Sequence, residues 1–206
     1  MLGELRRSIR SGQWPPGTPI RQEALAIELG VSRVPVREAL KILEGEGQVT
    51  YAPHKGYVVA EFDTTELQEI YRIRDVLEDE AVRQAVPRLT EEDFERMRSA
   101  MIAMEKTDSA DVNGLTEHNR RFHQALFEAA DMPRLLNFIR ILRDWSDAYR
   151  AMVYNDPELL SETWDEHRAI FEACREKDTA TVVHLLGAHR SRTVRGLTSN
   201  TDAPTA

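Results

Sequence analysis

Apolar and polar positions change period twice within the first sixty residues and then settle. Leu2, Leu5 and Ile9 form a short helical stripe that stops at Gly12. The stretch Gln13-Trp14-Pro15-Pro16-Gly17-Thr18-Pro19 holds three prolines and a glycine, which predicts a structured turn. A second helix is predicted from about Gln22 to Leu29, with Leu25, Ala26 and Leu29 inward and Gly30 as its stop. Ser32 is placed to cap a third helix, and Pro35 falls in its first turn, where a missing N–H costs nothing. Val36, Ala39, Leu40 and Leu43 give that helix an i, i+3, i+4, i+7 face; Gly45 and Gly47 close it. Val49–Tyr51 and Tyr57–Ala60 read as two short strands, joined as a hairpin through Ala52-Pro53-His54-Lys55-Gly56.

Past the linker Glu61-Phe62-Asp63-Thr64 the pattern is helical throughout. Helices are predicted at roughly 65–86, 91–106, 112–130, 133–154, 158–176 and 180–196. Pro87, Pro133 and Pro157 fall near their boundaries, and Thr90, Ser161 and Thr179 are candidate caps. The small, polar run TSNTDAPTA after Leu197 predicts a disordered tail. The expected fold is mainly α. Residues 1–62 form a winged helix-turn-helix with a small β-hairpin wing, residues 63–197 an all-α bundle, and residues 198–206 the tail.

Composition bounds the class. A chain of 206 residues, 41% apolar and 30% charged, is that of a soluble globular protein with room for two modest cores. No apolar run approaches the roughly 18 residues of a membrane span, and the opening MLGELRRSIRSGQW lacks the apolar core of a signal peptide. A single cysteine, Cys174, excludes an internal disulfide and fits a reducing cytoplasm. The net charge of −8 looks wrong for a nucleic-acid binder until it is divided: residues 1–60 carry 8 Lys/Arg and 6 Asp/Glu, so the acidity lies in the remainder. Such asymmetry suits a DNA-reading module joined to a domain that stays off the DNA.

The third helix carries the chemistry of DNA reading. Arg33, Arg37 and Lys41 recur at i, i+4, i+8 opposite its apolar face, near the helix N-terminus that a recognition helix inserts into the major groove. Arginine there can make bidentate bonds to guanine, and lysine further along can meet phosphate. The DNA-reading set is therefore Arg33, Val34, Arg37 and Lys41 on the helix, with His54, Lys55 and Gly56 on the wing. Three cations on one exposed face could equally be a solvated face. The flanking helix, the tight Gly30-Val31-Ser32 turn and the hairpin weigh against that.

The run Pro16-Gly17, Leu25-Ala26, Leu29-Gly30-Val31-Ser32-Arg33-Val34-Pro35-Val36-Arg37-Glu38-Ala39-Leu40 and Leu43-Glu44-Gly45-Glu46-Gly47 resembles the N-terminal domain of GntR-family regulators. That resemblance implies operator contacts by Arg33, Arg37 and the wing from His54 to Gly56. It also implies a transcriptional regulator, by default a repressor, which binds an inverted repeat of double-stranded DNA as a homodimer.

In the helical part, polar residues lie on apolar faces. His123 sits with Leu126, one turn after Asn119; His167 shares a stripe with Ile170, Phe171 and Cys174; His189 follows Val182, Leu185 and Leu186. Arg74 is flanked by Ile70, Tyr71 and Leu77. A single inward histidine is more often a satisfied core residue than a ligand. Three on three helices could converge on one divalent metal, since imidazole suits zinc and nickel. His118 and His184 lie off these stripes and read as surface residues. Arg143 and Arg192 border inward faces and are expected to snorkel to the rim.

The string Asn119-Arg120-Arg121-Phe122-His123-Gln124-Ala125-Leu126 resembles a motif of the FCD effector domain of FadR-type regulators. The resemblance implies a metal held by Asn119, His123, His167 and His189, zinc or nickel above others, completed by a small organic or sugar acid. Asn119 stands where aspartate is common in that family. Arg74-Asp75-Val76-Leu77-Glu78 resembles the R-x-x-L-E segment of the same domain, implying Arg74 as an effector-binding residue. Two other readings stay open: a helical metal-dependent enzyme acting on a small acid, or a DNA-binding protein without a ligand. Against the first, no histidine has a glutamate three residues before it, and no H-E-x-x-H, P-loop or G-x-G-x-x-G is present.

Overall fold

The computed structural model describes residues 1–10, 13–45, 47–53, 55–60, 64–154 and 157–201. In the N-terminal head, helices α1 (Leu2–Arg10), α2 (Gln22–Glu28) and α3 (Arg33–Gly45) pack with strands β1 (Pro19–Ile20), β2 (Val49–Ala52) and β3 (Gly56–Val59). The sheet is antiparallel in the order β1-β3-β2, with Pro19 opposite Val58 and Val49 opposite Val59. β1 corrects the sequence reading, in which Pro19 belongs to the turn. Proline cannot donate to a ladder, so an edge strand is where the sheet can accept it. Leu5, Ile9, Ile20, Leu25, Val36, Leu40, Leu43, Val49 and Val59 form one buried cluster, to which the three helices contribute residues of the stripes their periodicity predicts. Between α2 and α3, Gly30 takes φ 64°, a left-handed conformation that a side chain would strain. The turn is held by Val31 N–H donating to the Ala26 carbonyl at 3.0 Å.

The C-terminal part comprises α4 (Thr64–Ala85), a 3₁₀ turn at Val86–Arg88, α5 (Glu91–Lys106), α6 (Val112–Glu128), α7 (Pro133–Tyr154), α8 (Pro157–Arg175) and α9 (Thr179–Thr201). These bounds lie within two residues of the periodicity everywhere but at the end. α9 runs to Thr201, four residues into the stretch expected as a tail; residues 202–206 lie outside the described residues. Thr90 caps α5 in a reciprocal box, with the Asp93 carboxylate accepting from Thr90 N–H at 2.8 Å. The other two expected caps are corrected. Ser161 lies inside α8, and the first turn of α9 is capped by Asp178, whose Oδ1 accepts from Thr181 N–H at 3.1 Å. A carboxylate suits the positive end of a helix dipole at least as well as the neighbouring hydroxyl of Thr179.

α5 packs on α6, α8 on α9, and α4 against both α7 and α9. Val82, Phe94, Met97, Phe122, Leu126, Ile170, Cys174, Val182 and Leu186 are shared in the bundle core. The head touches the bundle where α1 meets α7. Among the described residues, no helix is long and apolar enough to cross a membrane.

Candidate metal centre and DNA-reading helix

Each inward histidine rides on an apolar stripe, so burying the stripe carries the imidazole into the bundle. His123 on α6, His167 on α8 and His189 on α9 are all buried. One nitrogen from each lies within 4.8 Å of the others, and the Nε2 atoms of His123 and His167 are 3.3 Å apart. Asn119, one turn before His123, is fully enclosed, and neither atom of its amide has a hydrogen-bond partner. Leaving a buried polar group unmatched costs about 1–3 kcal/mol, so this amide marks a place built for something else.

These donors fit a divalent ion. Two imidazole nitrogens bound to a tetrahedral zinc at about 2.0–2.1 Å stand roughly 3.3 Å from each other, the spacing that His123 and His167 show. His189 is fixed from outside: its Nδ1–H donates to Glu166 Oε2 at 2.7 Å, which leaves the Nε2 lone pair as its ligand atom. Glu166 and His189 stand on different helices, a pairing no local pattern discloses.

A second polar cluster lies between α4, α7 and α9. Arg74 is enclosed, donating from Nε to Glu78 Oε1 at 2.8 Å and from Nη1 to Ser146 Oγ at 2.8 Å, with the Tyr71 ring 4.5 Å away. Glu78 also meets Arg143 at 3.5 Å and Arg190 at 3.1 Å. Burial pushes the Glu78 carboxyl up, but the guanidinium groups of Arg74, Arg143 and Arg190 outweigh it and hold the group at about 2. Arg190 has carboxylates of its own in Asp75 and Asp79. Arg74 and Arg143 both reach Glu78, so three guanidinium groups stand with three carboxylates in this cluster.

Arg143 corrects its expected place at the rim: it is buried, over the Phe127 ring, which in turn stacks on His123. Inside, its guanidinium meets the Glu78 carboxylate of α4, a partner across helices that its own helix does not show. Arg192 does lie half-exposed at the rim. His184 is exposed as expected. His118 is half-buried in a groove between α5 and α6, with Ala103, Arg121 and Ala125 in the same wall, and its Nδ1 is enclosed without a hydrogen-bond partner.

On the head, Val36, Ala39, Leu40 and Leu43 are buried, which turns Arg33, Arg37 and Lys41 outward. Arg33 is ion-paired with Glu23 at 2.6 Å, a pairing across helices that periodicity does not reveal. Both groups are well exposed, so the pair contributes at most about 1 kcal/mol and yields to a phosphate or base. Val34 is 58% exposed beside them, apolar surface of the kind that meets a thymine methyl. Lys55 and Gly56 form the wing tip, Gly56 at φ 77°. His54 lies outside the described residues.

A winged helix-turn-helix carried by a separate helical bundle defines a DNA-binding transcriptional regulator. The chain belongs to the GntR family: residues 2–59 match bacterial regulatory proteins of the gntR family, and residues 69–192 match the FCD domain that marks FadR-type members. The regulator McbR of Escherichia coli is 29% identical over 188 residues, 89% of this chain and 84% of that protein. The solved structure of McbR/YncC superposes with a TM-score of 0.86 at 27% identity, covering 98% of this chain and 96% of that one. The "Probable D-xylose utilization operon transcriptional repressor" of Paenarthrobacter nicotinovorans is 30% identical over 182 residues, 88% of this chain and 80% of that one. The relatives are transcriptional regulators rather than enzymes, repressors in some cases, and this protein is a regulator of the same kind.

Proposed function

We propose that this protein is a cytoplasmic repressor whose hold on its operator is set by a small carboxylic acid bound at a divalent metal centre in the bundle. The observation that carries the reading is the convergence of three buried imidazoles beside the unpartnered Asn119 amide. Asn119, His123, His167 and His189 would hold the ion, zinc or nickel by the chemistry of the donor set. A bound ion supplies a Lewis-acidic anchor for a carboxylate. Arg74, enclosed beside Glu78, would add a guanidinium for the acid's carboxylate. Elemental analysis of the purified protein, with a thermal-shift screen of organic and sugar acids, tests the reading. No metal and no stabilising acid would sink it.

Operator recognition would rest on Arg33, Val34, Arg37 and Lys41, with the wing at Lys55 and Gly56 alongside. One recognition helix spans few base pairs, so specificity calls for two half-sites and a homodimer on an inverted repeat. Arg33→Ala and Arg37→Ala are each expected to weaken specific binding by about 1–3 kcal/mol, and Lys41→Ala to weaken all sequences alike. Gel-shift titrations against operator and scrambled duplexes at several salt concentrations separate the two behaviours. Normal specific binding by both arginine variants would remove α3 from the groove.

Asn119 makes the coupling between metal and acid testable. Three neutral imidazoles and an amide leave the ion's charge uncompensated, so the acid's carboxylate would supply what the ligand set lacks. Metal and acid should then bind with positive, reciprocal coupling. Asn119→Asp, nearly isosteric but charged, should raise metal affinity without the acid and shrink the coupling. Calorimetric titration of zinc and nickel into chelator-stripped wild type and variant, with and without the acid, reads both. Unchanged metal affinity would place Asn119 outside the ligand set.

A further inference from the structure

α8 and α9 meet along two matched stripes. Glu162 and Glu166 stand one turn apart on α8, and His189 and Arg192 lie three residues apart on α9. The stripes close into a continuous line of polar contacts that begins in the solvent and ends at the buried imidazoles. Arg192 Nη1 meets Glu162 Oε2 at 3.0 Å, and Arg192 Nη2 meets Glu166 Oε1 at 3.1 Å. The other oxygen of Glu166 then takes the Nδ1–H of His189 at 2.7 Å. A surface cavity of about 310 Å³ lies over this line, with Glu162, Glu166 and Arg192 in its wall. One carboxylate is thus shared between a buried imidazole and a guanidinium at the surface.

We infer that Glu166 is the positioning residue of His189 and that Arg192, acting through Glu166 from outside the bundle, weakens the centre's hold on its cation. The inference rests on the metal reading of the three histidines. As acceptor at Nδ1, Glu166 fixes the tautomer and ring orientation of His189 and makes its Nε2 a better donor. It also brings a negative charge close to a centre whose own donors are neutral. Arg192 opposes both effects. Its guanidinium draws on the same carboxylate, and its positive charge repels a cation behind it. The balance of two opposed groups, one of them within reach of ligands in the outer cavity, sets the affinity.

The two groups should therefore move metal affinity in opposite directions. Glu166→Ala is expected to weaken zinc binding about 10–100-fold. Glu166→Gln, which can still accept from Nδ1 but carries no charge, should fall between Glu166→Ala and wild type. Arg192→Gln keeps a hydrogen-bond donor for Glu166 and removes the charge, so it should bind zinc several-fold more tightly than wild type. A merely structural role for the pair would loosen the site in both variants. The measurement is calorimetric titration of zinc into the chelator-stripped full-length protein, wild type and three variants, with circular dichroism melts to show that each is folded. Cobalt in place of zinc adds a second readout, since its visible absorption reports the ligand geometry that Glu166→Ala should disturb. If wild type binds zinc while Glu166→Ala binds equally well, or Arg192→Gln binds more weakly, the inference fails and the metal reading stands. If wild type takes up neither ion, the metal reading fails and this inference with it.

Discussion

Glu78→Ala is expected to destabilise the bundle by about 3–5 kcal/mol, a large share of the total stability of a domain this size. The variant leaves Arg74 in the interior without its carboxylate and takes one from Arg143, whereas Arg190 keeps Asp75 and Asp79. The cost is that of the stranded charges more than of the lost bonds. An Arg74→Met, Glu78→Leu double replacement should recover part of the loss by removing both partners. The same residue sets an acid limit. Its folded value of about 2 lies below the ordinary glutamate value of 4.5, so its contribution is complete above pH 4.5 and disappears as pH falls towards 2. That contribution amounts to about 3 kcal/mol. Urea unfolding followed by circular dichroism at stepped pH would show it: the wild-type curve should fall steeply across that window and the Glu78→Ala curve should be flatter. Parallel curves would mean that Glu78 is not the group in control.

His167→Ala should remove metal binding altogether at micromolar ion, a loss beyond the roughly 10–100-fold that outer partners of a metal ligand contribute. His167 supplies the nitrogen 3.3 Å from that of His123, and it lies within 5.0 Å, ring centre to ring centre, of His189. No other described side chain in the trio can replace it. The response of operator binding to the acid should go with the metal. Affinity for the operator without acid should not change, because the head has its own core, to which α8 contributes no residue. Metal content by elemental analysis and gel shifts with and without acid check the two halves. A variant that still responds to the acid would mean that the acid is held by the arginines alone.

Much of this was readable in the sequence, for a definite reason. Short-range periodicity locates helices and the faces they bury, so the three histidines and Asn119 could be placed inward before any coordinates. That three inward histidines on three helices could converge on one ion was readable too, but the full ligand set came from resemblance, because nothing in the spacing of residues 123, 167 and 189 relates one helix to another. What was hidden consists of pairings across elements. Glu166 reaches His189 over 23 positions, and Arg190 reaches Glu78 over 112. Arg143 looked like a rim residue because its own helix gives no sign of the carboxylate across from it. β1 was hidden too: two residues beginning with proline carry no strand signal, and only the partner β3 makes them one.

The head and the bundle have separate hydrophobic cores, the first confined to residues up to Val59, and they touch through α1 and α7. Heat should therefore melt the chain in two steps rather than one. An acid at a hundred times its dissociation constant stabilises the unit it binds by about 2.7 kcal/mol. Nearly all of that belongs to the bundle's transition. Whatever fraction appears in the melting of the head has crossed the α1–α7 contact, and that fraction is the regulatory signal itself, expressed in degrees.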